Sequence, residues 1–545
     1  MRYLCIITLI TNLFFSPVCF AQKADLHYSI SRKDSTALLI TVAFTGNSSG
    51  SSVLHIPNEW ASQKKLYHAV SDLKALSAHD TVMPTDKPDS YTIRYQPGAT
   101  VVFSYILRKD WTGTLKYPQY FRAVIQHDLF YFNGYSGLVY PDVADTTQVR
   151  CRLTYKGFHK TDFIGNSFYA NRTDGRFTVS LNNLLNSIFC AGKFRSKTIN
   201  VNRHQVVIAL TGKPAFTDDE AFSSISNIIL AERRFWHDAG PHYYLTTFLP
   251  LYDQGNTGGT AYYHAFSLFQ STDQGLTENL LPMIAHEYFH NWLGLGLKMP
   301  EPDEPYKWFS EGFTEYYSYK MLRKTGIMSN EDFLTRINSY LKAYFLSPYF
   351  NLSNQQLIGR YWENSELKLL SYRRGLILAF LLDNRLMEKQ HESLDDFLRK
   401  LYAKSKPSMT FSDQLFDKLV LAYSDQATLT AIDQANEGQN EPLAHLLFTD
   451  PAYRMDTLKA EKIFDLGFDY QASKRIGKIQ GLEAGSNAEK AGLAENMPLT
   501  DQCSIWFNNT EKVAKIGVVK DGKKVLIEYL PITQVNRKIP QIIAK

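Results

Sequence analysis

Cysteine is scarce. The chain has 545 residues and five cysteines, two of which, Cys5 and Cys19, lie in its apolar N-terminal stretch. The other three, Cys151, Cys190 and Cys503, have no metal-ligand spacing, so they point to no cysteine-held metal. In an oxidising compartment they allow one disulfide, with Cys151–Cys190 the expected pair; three buried free thiols is the equal alternative. Excess charge is lacking too. Lys and Arg number 59 against 54 Asp and Glu, a net +5, with no long basic run. No nucleic-acid partner is expected. Beyond the N-terminus no apolar run is long enough to span a bilayer, so no stable membrane insertion is expected.

What is present is ordinary for a globular protein: 44% apolar and 21% charged residues, with 34 Phe and 33 Tyr. At roughly 150 residues per domain the length suggests three or four domains. Residues 1–21, MRYLCIITLITNLFFSPVCFA, have a basic Arg2, an apolar middle and small residues before a cleavage point after about Ala21. This is the pattern of a signal peptide and predicts an exported, periplasmic or extracellular protein. A lipid anchor at Cys19 would need a better flanking sequence than Ser16-Pro17-Val18.

Residues 22–175 read as antiparallel β-structure, with runs at Leu38–Phe44 and Val101–Leu107 separated by Gly, Ser and Asn clusters. Val206–Leu210 then leads to a helix opened by a Thr217–Glu220 capping box. The strand Tyr243–Leu249 follows, and then Gly258-Gly259-Thr260-Ala261-Tyr262-Tyr263-His264. A Gly-Gly pair entering a strand is either an ordinary turn or a place where another backbone comes close. In the second case it is the edge of a cleft to which a peptide adds as a strand, with Gly258, Gly259 and His264 as candidate substrate-binding residues. Residues 330–450 are mostly helical in pattern, with Ser393 and Thr410 or Ser412 as caps. The last 90 or so residues turn β-rich again, with a Ser486–Glu489 capping box and a hairpin signal at Lys520-Asp521-Gly522-Lys523.

The chemistry lies between Leu281 and Tyr317. His286-Glu287-Tyr288-Phe289-His290 is an H-E-x-x-H motif, and Glu311 follows within Trp308-Phe309-Ser310-Glu311-Gly312. On a helix the two histidines share one face, one turn apart, and both can reach one zinc ion. Glu287, one residue round, can reach a water beside the metal without ligating it. A carboxylate from a second helix would complete a two-His, one-Glu site with an open position, as a catalytic zinc requires. The bland alternative is two histidines satisfied in a core; the W-x-x-E-G stretch downstream weighs against it. Glu315, one turn beyond Glu311, is either a partner for a ligand histidine or part of a solvated face. Tyr372, at the start of an apolar helix, reads as packing by itself. Arg373 and Arg374 read as surface charge, or else as partners for a substrate carboxylate.

With H-E-Y-F-H-N-W followed by W-F-S-E-G-F-T-E-Y-Y, the chain resembles the glycyl aminopeptidase family of gluzincin metallopeptidases. The resemblance implies one Zn2+ per chain held by His286, His290 and Glu311, with Glu287 as general base. It also implies a role for Tyr372, within S-Y-R-R-G, in steadying the tetrahedral intermediate. The implied architecture is multidomain α+β: an N-terminal antiparallel β domain (22–175), a thermolysin-like zinc catalytic domain (176–345), a helical domain (346–455) and a C-terminal PDZ-like β domain (456–545). Two features depart from the family. Its G-G-x-E-H pattern, whose glutamate is expected to hold the substrate amine, is here G-G-T-A-Y-Y-H, with no carboxylate between Gly258 and Gln270. The Gly-Asp usual after the PDZ helix is replaced by Glu495-Asn496-Met497-Pro498. The expected function is an exported zinc aminopeptidase acting on peptide or protein substrates. The alternatives are an endopeptidase or a peptidase for blocked N-termini, and, from another class, a catalytically silent peptide-binding protein. The sequence does not specify an oligomeric state.

Overall fold

The computed structural model describes residues 24–543, apart from 62, 202, 254–255, 277–279, 364, 391–392, 449–453 and 508. The expected signal peptide lies outside the described residues. The first part of the chain is built of sheets. Ala24–Asp34 alternates, with Leu26, Tyr28 and Ile30 turned into the core. Ala37–Thr45 does the same with Leu38, Ile40, Val42 and Phe44. That period of two lets one face of a pleated strand bury while the other stays wet. These strands sit in a six-stranded sheet beside two four-stranded ones. The sheet is not wholly antiparallel as expected: Ala24–Asp34 pairs in parallel with Gln148–Lys156. Parallel neighbours need only a long connection between them, and more than 100 residues of chain separate these two.

The Cys151–Cys190 disulfide is not formed. Cys151 pairs across its strand with Leu26 and Phe177, whereas Cys190 pairs with Tyr131 and Gly165 in a different sheet. Both are buried free thiols, and burial pushes their pKa values up.

A five-stranded sheet follows. Its strands are β1 (Arg195–Val201), β2 (His204–Leu210), β3 (Tyr243–Leu251), β4 (Thr257–Tyr262) and β5 (Ala265–Ser271), in the order β1-β2-β3-β5-β4. β2, β3 and β5 run parallel, while β4 lies antiparallel at the edge. The link from β2 to β3 carries α1 (Asp218–Trp236), opened by the Thr217–Glu220 capping box. Helices α2 (Leu280–Phe289), α3 (Thr314–Lys324), α4 (Asn330–Phe345) and α5 (Ser365–Gln390) share one large apolar core with this sheet. Two polar ties run through that core. Arg233 on α1 donates to the Tyr288 hydroxyl on α2 at 2.7 Å. The Lys320 ammonium on α3 stands 2.6 Å from Asp383 on α5 and 2.8 Å from Asp395 on the next helix.

Four further helices follow between Leu394 and Phe448. The last part has its own small core around Phe468, Ile479 and Val518, and Asp521-Gly522 turns the expected hairpin. Its final strand returns to α4, where Asn338 exchanges two hydrogen bonds with the Ile542 backbone at 2.8 and 2.9 Å. No described helix is long and apolar enough to cross a membrane.

Candidate metal and hydrolytic site

The H-E-x-x-H residues lie on α2, so His286 and His290 project from one face. Glu311 comes from a π-helical segment, Trp308–Phe313, that runs into α3. Nε2 of His286 and Nε2 of His290 are 3.1 Å apart, and both lie close to Glu311 Oε2, at 3.3 and 3.5 Å. Three tetrahedral donors, each about 2.0–2.2 Å from a shared zinc ion, would stand about 3.3–3.6 Å from one another. The three residues therefore fit the group.

The far side of each ring is tied off. His286 Nδ1 stands 2.7 Å from Glu315 Oε2, and His290 Nδ1 stands 2.8 Å from the Leu293 carbonyl oxygen. Both contacts need a proton on Nδ1, which leaves both Nε2 lone pairs facing the centre. Glu315 is held in turn by the Tyr319 hydroxyl at 3.1 Å and by the Tyr340 hydroxyl. Burial works against its charge, but His286, Tyr340 and Tyr319 outweigh that and keep its pKa low. Burial also opposes charging of His286, yet Glu311 and Glu315 push its pKa up to about 10. A centre where carboxylates converge on two imidazoles in this way suits a cation.

Glycines set the approach of the surrounding elements. A Cβ on Gly259 of β4 would stand 2.8 Å from Met283 Sδ and 3.3 Å from Glu287 Cγ, so the edge strand passes directly against α2. A Cβ on Gly258 would meet the Tyr120 hydroxyl at 2.2 Å, which brings the first part of the chain to the same strand. On the other side a Cβ on Gly375 would stand 1.7 Å from the Trp308 carbonyl oxygen, and one on Gly312 would stand 2.4 Å from Gly375 Cα. This glycine pair lets α5 cross the π-helical segment at backbone distance. Tyr372, three residues before Gly375, is thereby delivered to Glu311, with its ring stacked on His286 at 5.7 Å. Burial, and then the Glu311 charge, push the Tyr372 pKa well up, so the phenol keeps its proton. The Glu287 charge is felt by Tyr372 and also by Tyr120 and Tyr262 beside the edge strand.

The structure thus brings together His286, Glu287, His290, Glu311, Glu315, Tyr372 and Gly259, with Gly258 adjacent. His264 is not part of this group. It occupies the turn between β4 and β5 with φ +50°, stacked on Tyr263 at 3.9 Å, and burial, then His242, pull its pKa down to about 4. Arg374 is not surface charge. It is fully buried and donates to Tyr344, Asn354 and the Leu352 carbonyl. Arg373 is taken by Glu366 at 2.6 Å. Two neighbours of Glu311 were missed. Lys307 Nζ stands 3.7 Å from its Oε1 and 2.8 Å from Asp303; its position one turn before Glu311 was a usable signal. Tyr361, whose phenol meets Tyr372, gave none, because only the tertiary fold brings it there.

Residues 279–356 match the family model described as M61 glycyl aminopeptidase. The matched segment contains His286, His290 and Glu311, and together they support a zinc metallopeptidase. The fold agrees. A crystal structure of an aminopeptidase N family protein from Idiomarina loihiensis superposes with a TM-score of 0.68 at 14% identity, covering 95% of this chain and 96% of that one. An M1 zinc metallopeptidase mutant from Deinococcus radiodurans, bound to a Tyr-Ser-Ala substrate, aligns over 77% of this chain and 94% of its own at 16% identity, with a TM-score of 0.47. No curated protein matches the chain.

Proposed function

We propose that this metallopeptidase is exported and removes N-terminal residues from peptides, as an aminopeptidase of the glycyl aminopeptidase type. In this reading His286, His290 and Glu311 hold one zinc ion. The observation that carries it is the spacing of the three donor atoms, 3.1 to 3.5 Å, with both Nδ1 atoms anchored behind. Bound there, zinc supplies Lewis acidity, acidifying water and polarising the carbonyl under attack. Glu287 takes the proton of the attacking water and passes it to the leaving amine. Tyr372, kept protonated by its surroundings, donates to the oxygen on which charge develops, a contribution of about 3–4 kcal/mol in rate terms. Glu315 keeps His286 in the tautomer that faces the metal. The edge strand β4 offers its backbone to an extended peptide. For the C-terminal part we propose a PDZ-like domain that helps hold the fold, its last strand being bonded to α4.

One observation favours a second reading, cleavage within chains or at blocked N-termini. Ala261 stands where the resembled pattern has its glutamate, and β4 carries no carboxylate to receive an ammonium group. A peptide library with free and acetylated N-termini separates the two. Cleavage confined to free N-termini supports the aminopeptidase, and equal cleavage of both supports the second reading. Binding without cleavage of either contradicts both.

A further inference from the structure

Strand β4 carries no carboxylate of its own, while the first turns of α5 bring a cation to the site. Lys368 lies one turn before Tyr372 on α5, and its ammonium stands 5.8 Å from the Tyr372 ring centre and 5.2 Å from that of Trp362. Trp362 is 72% exposed, a large indole at the surface beside the catalytic tyrosine. The acids nearest in sequence are already engaged: Glu363 by Arg360 at 3.5 Å, and Glu366 by Arg373 at 2.6 Å. Lys368 forms no ion pair with a described residue. A lone lysine on a helix is usually just solvated. Here the half-buried ammonium is instead fixed over two rings, one turn from a group that faces the reacting atoms, and its neighbouring acids are spoken for.

We infer that Lys368, with the face of Trp362, forms a carboxylate-binding subsite beside Tyr372, so that the enzyme favours substrates with a negative charge close to the bond it cuts. The inference rests on the peptidase reading above and adds a substrate class to it. A carboxylate there gains a charge-assisted hydrogen bond that its amide counterpart lacks. The carboxylate has two possible sources, an Asp or Glu side chain flanking the scissile bond or the free C-terminus of a short peptide.

The test uses the full-length zinc-loaded protein and matched peptides. One set exchanges Glu for Gln on either side of the scissile bond, and the other compares a free with an amidated C-terminus. The wild-type protein should favour the charged member by about fivefold to tenfold in kcat/KM at low salt. Whichever set shows the preference identifies the source. In Lys368→Gln that ratio should fall towards one, and in Lys368→Glu it should reverse for peptides bearing Lys at that position. No charge preference in the wild type, or a preference that Lys368→Gln leaves intact, would overturn the inference. The affinities of the same peptides for Glu287→Gln protein judge the subsite without turnover. If the wild-type protein binds them but cuts none, the peptidase reading fails while the Glu/Gln affinity ratio still decides on Lys368.

Discussion

Replacing Glu315 by Gln removes one charge and almost no volume from behind the metal centre. Its Oε2 faces His286 Nδ1 at 2.7 Å, and its Oε1 accepts from Tyr319 and Tyr340. A glutamine can turn its carbonyl to His286 and its amide to the tyrosines, whose hydroxyls rotate to accept. The fold should therefore persist, while a charge-assisted bond becomes a neutral one, at a cost of about 1–2 kcal/mol. His286 becomes a less basic ligand and its Nδ1 proton is held less firmly. Losses of such outer partners weaken metal binding by about 10–100-fold. Equilibrating the variant and wild-type protein in zinc-buffered solutions and measuring bound metal reads that ratio directly. Glu315→Ala should do worse, since three buried polar groups lose their acceptor, and its thermal midpoint should fall as well. An unchanged zinc Kd in well-folded Glu315→Gln protein would refute the reasoning, because His286 would then need no partner behind it.

Three other outcomes follow from the same geometry. Tyr372→Phe should keep its zinc and lose about 10²–10³-fold in kcat, measured under metal saturation, because only the donor to the developing charge is gone. Gly375→Ala should push α5 off the π-helical segment, since the new methyl would sit 1.7 Å from a backbone oxygen; activity and thermal midpoint should fall together. Asp395 carries a pH signature. Burial opposes its charge, but Lys320 and Lys324 outweigh it and hold its pKa at about 2 instead of 3.8. A depressed carboxyl stabilises the fold above its unfolded pKa, here by about 2 kcal/mol, and this is lost as pH falls from about 4 towards 2. The gap in urea midpoint between wild type and Asp395→Asn should therefore be wide at pH 6 and narrow by pH 3.

The parts of the site legible in the sequence are those that obey a local spacing. His286 and His290 are four apart, and Glu315 is one turn from Glu311. The caps at Thr217 and Ser486 and the Asp521-Gly522 hairpin turn were legible for the same reason: a side chain and a backbone group a few residues apart decide them. What was not legible depends on distant chain meeting. The Gly312–Gly375 crossing explains why Tyr372 reaches Glu311, but neither glycine announces its partner. The burial of Arg374 rests on Tyr344, Asn354 and a loop carbonyl that no pattern links to it. The parallel pairing of the first strand joins segments over a hundred residues apart, and the alternation of buried residues says nothing of strand direction.

In the proposed mechanism His286, His290 and Glu311 would hold a zinc ion and Glu287 would act as the base in cutting peptide bonds. Its most direct test is Glu287→Gln, with metal content and peptide hydrolysis measured on the same preparation. About one zinc per chain with hydrolysis almost abolished is the predicted result. Hydrolysis at the wild-type rate in that variant, or a folded wild-type protein that takes up no zinc, would contradict it.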